Sequence, residues 1–220
     1  MNIIIQQEEH EYLQGLVIKK YMMGSHLYGL ARPDSDIDYL CIYRTSEVEK
    51  ASGLPNAHQF QYKELSPQID WIYCSELQFW KNLSSGDATI NADIVLFSGD
   101  WQNSLEICRT YKVIKAYLGF GKRDLKQIKE GSHKLYHAAR SLYCAEQLLQ
   151  NQLPTIQGIQ DLHGSKQDIQ YLVEKEQALR AELNRQYDAQ ALKTYYIVPC
   201  NDPLWQKLLD SNNIKEFKYG

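Results

Sequence analysis

The chain has 220 residues, 44% hydrophobic and 23% charged, which is enough for one sizeable core with a helical appendage and too ordinary for long disorder. A formal net charge of −3 excludes a protein that coats nucleic acid by bulk charge, but leaves room for a local basic face. No apolar run approaches a membrane span, and the start, Met1-Asn2-Ile3-Ile4-Ile5-Gln6-Gln7, lacks the basic opening and apolar core of a signal peptide.

Residues 6–15 are polar and predicted helical, leading into a strand over 16–23. Gly24-Ser25 ends that strand, and His26 to Leu30 is predicted to make one or two helical turns. Glycine permits a sharp turn and a close ligand approach. The N–H groups at the start of the short helix, with the Ser25 hydroxyl, suit an anion. Pro33-Asp34 marks a turn, with Asp34 read as a turn residue, and a second strand follows over 36–43. Strand alternation puts Asp36 and Asp38 on the same side. Two carboxylates beside a phosphate-cradling turn suit Mg²⁺, a hard cation that prefers oxygen ligands.

Further along, residues 46–52 read as a short helix with a Ser-x-x-Glu capping signal. Residues 58–63 and 68–73 alternate as two strands joined across Glu64 to Pro67. A helix is predicted over 75–83, with Leu77, Trp80 and Leu83 at helical spacing, ended by Ser84-Ser85-Gly86-Asp87. Residues 91–97 fit strand or helix equally. From Trp101 the pattern turns helical. One helix spans 105–118, stopped by Gly119-Phe120-Gly121. Another spans 124–151 with a break at Gly131 and an apolar stripe of Leu135, Ala138, Leu142, Ala145 and Leu149. Residues 154–164 read as a loop. A third helix spans 167–186, with Ile169, Leu172, Val173, Leu179 and Leu183 inward. A last short helix is predicted over 203–209, and 212–220 as a fraying tail. The fold class is therefore α/β (α+β): a small mixed β-sheet core with flanking helices over 1–100, then a helical domain over 101–220.

Gly24-Ser25, the Asp36-x-Asp38 pair and a later strand acid, Asp70, together resemble the nucleotidyltransferases of the DNA-polymerase-β superfamily. The wording Gly-Ser-His-x-Tyr-Gly…Asp-Ser-Asp-x-Asp looks closer to a branch associated with bacterial and phage RNA repair. Stretches 93–98 and 137–142 look like that branch too, so the resemblance covers roughly residues 15–155. It implies transfer of a nucleoside monophosphate from a nucleoside triphosphate to an acceptor hydroxyl. Asp36, Asp38 and Asp70 would be the catalytic and metal-binding residues, holding two Mg²⁺ ions, with Mn²⁺ as a substitute. Gly24 and Ser25 would hold the β- and γ-phosphates. His26 either donates to phosphate or caps the turn, and Arg32 is either a surface residue or a phosphate contact.

Residues 109–140 hold nine basic side chains, Arg109, Lys112, Lys115, Lys122, Arg123, Lys126, Lys129, Lys134 and Arg140, against Asp124 and Glu130. That excess of +7 inside an acidic chain reads either as a face for triphosphate or RNA backbone, or as a solvated helix surface. Lys134, His137 and Arg140 share a helical face and are the candidates for nucleotide contact. The expected partners are a nucleoside triphosphate and an RNA 3′ end. The alternatives are a protein or small-molecule acceptor, or a non-catalytic nucleotide-binding module. Cys41, Cys74, Cys108, Cys144 and Cys200 are odd in number and far apart, with no metal-ligand spacing. They read as buried free thiols of a cytoplasmic protein.

Overall fold

The computed structural model describes residues 3–4, 6–46, 57–62, 68–86, 89–128 and 134–195. The described residues form two compact units, one running through Asn82 and one from Leu83. The fold class matches the α+β expectation, with a mixed sheet followed by helices.

Among the described residues, the first unit is built on a five-stranded sheet. Its strands are β1 (Ile3–Ile4), β2 (Val17–Met22), β3 (Ile37–Tyr43), β4 (Ala57–Tyr62) and β5 (Ile69–Ser75), in the order β1-β4-β5-β3-β2. The β2–β3 and β4–β5 pairs are antiparallel, whereas β3–β5 and β1–β4 are parallel. Helix α1 (Gln7–Leu16) buries only His10 and Leu13. Leu13 joins Cys41, Tyr43 and Tyr73 in the core, with Val17, Tyr39 and Trp71 packed against them. The Tyr73 hydroxyl hydrogen-bonds His10 Nδ1 at 2.9 Å, so the one polar side chain that α1 buries is satisfied by the sheet. Burial holds the His10 imidazole below its ordinary pKa, against the opposing pull of Glu11. Residues 47–52 of the predicted short helix and the 63–67 connection lie outside the described residues.

Helix α2 (Gly24–Leu27) is the single turn after β2, and α3 (Glu76–Ser85) follows β5. Ser75 opens α3 by accepting from Gln78 N at 3.2 Å, while Thr45 accepts from Leu77 N at 3.0 Å. Its most buried side chains are Phe79 and Leu83. Leu77 and Trp80, expected inward, are half-buried.

The second unit is helical. Residues 89–97, ambiguous in sequence, are the helix α4 (Thr89–Phe97), buried along Asn91 to Val95. The expected single helix over 105–118 is instead α5 (Ser104–Cys108) and α6 (Tyr111–Lys126), and α6 runs through Gly119 and Gly121. The break has a cause at Thr110. Its hydroxyl accepts from Val113 N at 3.3 Å, and the backbone N–H groups of Tyr111 and Lys112 donate to the carbonyls of Lys193 and Thr194. Gly121 is kept for packing, since a Cβ there would lie 3.0 Å from Leu142 Cδ2. Helix α7 (Lys134–Leu149) packs on α6. Leu135 of its expected stripe is half-buried, and Ala139, Ser141, Cys144 and Leu148 are buried in addition.

Residues expected to form a loop are the helix α8 (Ile156–Gly164). Thr155 caps it, accepting from Gly158 N at 3.0 Å. Gly158 lies inside that expected loop, and a Cβ there would collide with the Tyr143 hydroxyl. Helix α9 (Ile169–Asp188) packs on α6 and α7 and buries Leu172, Glu176, Leu179 and Leu183. Ile169, expected inward, is exposed at the helix start, and Val173 is half-buried. The expected elements over 203–209 and 212–220 lie outside the described residues.

Candidate active site

The motif residues of the first unit meet at one end of the sheet. Strand β2 runs into Met23, whose N–H donates to Asp38 O at 2.8 Å, which fixes the turn against β3. Gly24 then takes a φ of +59°, a left-handed conformation that side-chain-bearing residues seldom adopt. A Cβ on Gly24 would lie 3.4 Å from Asp38 Oδ2, so the turn backbone sits against that carboxylate. Leu30 N closes the turn by donating to Ser25 O at 2.8 Å. The approach to β3 is also tied: Arg32 N donates to Ser35 Oγ at 2.9 Å, and Ser35 N to Arg32 O at 3.0 Å.

Parallel register places Asp38 directly beside Asp70, on the same face of neighbouring strands. Asp36 lies one residue before β3 and is exposed, while Asp38 and Asp70 are half-buried. Burial pushes the Asp38 carboxyl above its ordinary pKa, and the Asp70 and Asp36 carboxylates push it further, with His26 pulling the other way. Asp38 is therefore the residue at which the fields of Asp70, Asp36 and His26 converge. Among the described residues, no three His, Cys, Asp or Glu side chains are already drawn together as an ion cage. Carboxylate oxygens are the donors a hard divalent cation prefers, and Asp38 and Asp70 present theirs from paired positions of β3 and β5.

One feature has no counterpart in the sequence expectations, and a second sharpens what they held for His26. Gln68 Nε2 donates to Asp70 Oδ1 at 2.9 Å, and Gln68 O accepts from Ile37 N at 2.9 Å, so one residue orients the acid and sets the strand register. The signal was present: Gln68 precedes Asp70 by two, the spacing of one strand face. The second is His26 Nε2, buried without a hydrogen-bond partner at the turn. An orphaned polar atom of this kind implies a ligand or water as partner.

The remaining candidates lie on the spacer and on one helix of the second unit. Arg32 is exposed in the spacer. Lys134, His137 and Arg140 all lie on α7 in the helical unit. Lys134 Nζ stands 3.9 Å from Asp124 Oδ1, His137 is exposed with its ring 5.9 Å from that of Tyr136, and Arg140 is half-buried. Among the described residues, no helix is long and apolar enough to cross a membrane.

Comparison with curated proteins gives no match. The family model described as a nucleotidyltransferase domain matches residues 5–93, so the stretch carrying the Gly24 turn, the Asp36–Asp38 strand and Asp70 is similar to that family.

Proposed function

We propose that the protein is a metal-dependent nucleotidyltransferase. It would move a nucleoside monophosphate from a nucleoside triphosphate to an acceptor hydroxyl, releasing pyrophosphate. The observation that carries this reading is the Asp38–Asp70 register pair under the Gly24 turn, with Asp38 desolvated and pressed by both neighbouring carboxylates. The family match over the same stretch supports it. The acceptor we favour is an RNA 3′ end, as in RNA repair, because residues 109–140 concentrate positive charge in an acidic chain.

The turn at Gly24 and Ser25 would take the β- and γ-phosphates, with close approach possible because position 24 has no side chain. His26 Nε2 would donate to the same anion and so lose its orphan status. Asp36, Asp38 and Asp70 would hold Mg²⁺, with Mn²⁺ as a substitute. When bound, the metal neutralises phosphate charge and lowers the pKa of the acceptor hydroxyl. Gln68 fixes the orientation of Asp70. As the acceptor oxygen bonds to the α-phosphorus, the α–β bond breaks, its electron pair leaves on pyrophosphate, and Asp70 takes the hydroxyl proton. Lys134, His137 and Arg140 enter the proposal as nucleotide contacts.

The test is incubation of the protein with each labelled triphosphate, Mg²⁺, and either total RNA or a protein lysate. Label in RNA, lost in Asp36→Asn, supports the reading. Label in protein keeps the transferase and replaces the acceptor. No label with any triphosphate leaves a nucleotide-binding module.

A further inference from the structure

The structure sorts the basic side chains of residues 109–140 by environment. Arg109 is used inside the helical unit, where it donates to Leu148 O at 3.1 Å, Ala191 O at 3.3 Å and Gln186 Oε1 at 3.3 Å. Lys134 stands by Asp124, Arg140 is half-buried, and Lys129 lies outside the described residues. The other five are on α6. Lys112, Lys115, Lys122, Arg123 and Lys126, with Gly119 between them, recur at intervals that keep them on one side of the helix. The opposite side carries Val113, Ile114, Tyr117, Leu118, Gly121 and Asp124, all buried. Lys112 is half-buried and the other four cations are exposed.

Among the described residues, this stripe lacks the sign mixing of an ordinary solvated face. Such faces mix signs at i, i+4, whereas Lys122 and Lys126 are like charges at that spacing and repel. Asp124 is the only acid of α6, and it is buried, engaged by Arg123 at 3.0 Å. Among the described residues, Lys112, Lys115, Lys122 and Lys126 take part in no ion pair. Each end of the stripe carries an aromatic ring beside a cation. At one end Tyr111 packs on Tyr187, ring centroids 4.3 Å apart, with Lys115 Nζ 5.4 Å from the Tyr111 centroid. At the other, the Arg123 guanidinium lies 4.4 Å from the Phe120 centroid. Tyr187 is 38% exposed, so the tyrosine pair is open to a stacking partner.

Lysines that form no ion pair among the described residues, in a row beside aromatic rings of which Tyr187 is exposed, offer the chemistry that grips a phosphodiester backbone and stacks its bases. We propose that this face of α6, with the Tyr111–Tyr187 pair, binds single-stranded RNA. From Lys112 to Lys126 the stripe is about 21 Å long, at 1.5 Å of rise per residue. A straight run of that length suits roughly four nucleotides, the lower end of single-strand site sizes. A lipid surface fits less well, because membrane-lying helices expose an apolar face and that of α6 is buried in its own unit. The proposal rests on the reading of RNA as acceptor and supplies the surface that would hold it.

The test is fluorescence anisotropy of a labelled oligouridylate across a salt series, without nucleotide. The wild type should show a log–log slope of about −3, since each contact contributes about −0.7 on a single strand. Lys115→Glu, Lys122→Glu and Lys126→Glu together should weaken binding about tenfold or more at low salt and flatten the slope by about 2. The matching triple Gln variant, which keeps helix propensity, should move the same way. Tyr187→Ala should weaken binding about tenfold with the slope unchanged, because stacking releases no counterions. Absent or salt-insensitive binding, wild-type affinity in both triple variants, or a preference for duplex RNA or phosphatidylserine vesicles overturns the proposal. Binding without nucleotide transfer leaves the surface and removes the transferase, while transfer to another acceptor without RNA binding does the reverse.

Discussion

Asp38 concentrates the conflict on which the site is built. Its backbone carbonyl holds the turn, its side chain faces Gly24, and its carboxyl is raised by burial, then by Asp70 and Asp36. A carboxyl whose pKa is higher in the folded state favours folding when protonated and opposes it when ionised. Its stabilising effect is therefore complete below the unfolded value near 3.8 and is lost as pH rises through the raised folded value. Asp38→Asn should thus raise the metal-free melting temperature at neutral pH, and the gain should vanish at acid pH, where the wild-type carboxyl is protonated. The same variant should lose more than about 100-fold in transfer, since even partners outside the metal's own ligands are worth up to that. Melting curves at both pH values and a turnover assay read the two effects. Lower stability at neutral pH would remove the like-charge account of Asp38. The acids and the turn were legible because their spacing is local. Gln68 and the orphaned His26 Nε2 were not, because hydrogen bonding and burial depend on the strand pairing.

Elements were legible where local patterning and tertiary packing agree. The motif strands, α1 and the opening of α3 at Ser75 follow the expected residues within one or two positions. The failures share one cause, in that a local signal met a tertiary requirement. Gly119-Phe120-Gly121 reads as a helix stop, yet α6 continues because Gly121 lets Leu142 approach. Pro154 and Gly158 read as loop, yet Gly158 is the small residue that seats the Tyr143 hydroxyl on α8. Ile169 falls on an apolar stripe, yet its place in the first turn of α9 leaves it exposed. The break between α5 and α6 depends on Lys193 and Thr194, more than eighty residues away. Thr110 carries that break: fully buried, it caps α6 with its hydroxyl. Thr110→Ala should cost about 1 kcal/mol, within the 0.5–2 range for a lost cap. Thr110→Ser, which keeps the oxygen, should recover most of it. Denaturant titration measures both, and equal losses in the two variants would assign the effect to the methyl group instead of the cap.

Among the described residues, the cysteines follow one logic: each is buried as a free thiol. Cys41 and Cys74 lie in the sheet unit, Cys108 and Cys144 in the helical unit, and all four are free and buried. Burial pushes the Cys41 thiol up to about 11 and that of Cys74 to about 12, and holds Cys108 and Cys144 well above the ordinary value. Only the thiolate attacks a disulfide reagent. At about pH 8, a thiol with a pKa near 11 is ionised in roughly one molecule in a thousand, and burial then blocks access as well. Labelling of these four should therefore follow opening of their unit instead of thiol chemistry. In native protein, peptide mapping by mass spectrometry should find them unmodified over minutes of exposure to a disulfide reagent. In increasing guanidinium, Cys41 should label together with Cys74, and Cys108 together with Cys144, because each pair shares a unit that opens cooperatively. Cys200 lies outside the described residues, and mapping each cysteine separately keeps its reaction from obscuring the others. Rapid native labelling at any of the four, or one member of a pair labelling well before the other, would contradict the packing of that unit.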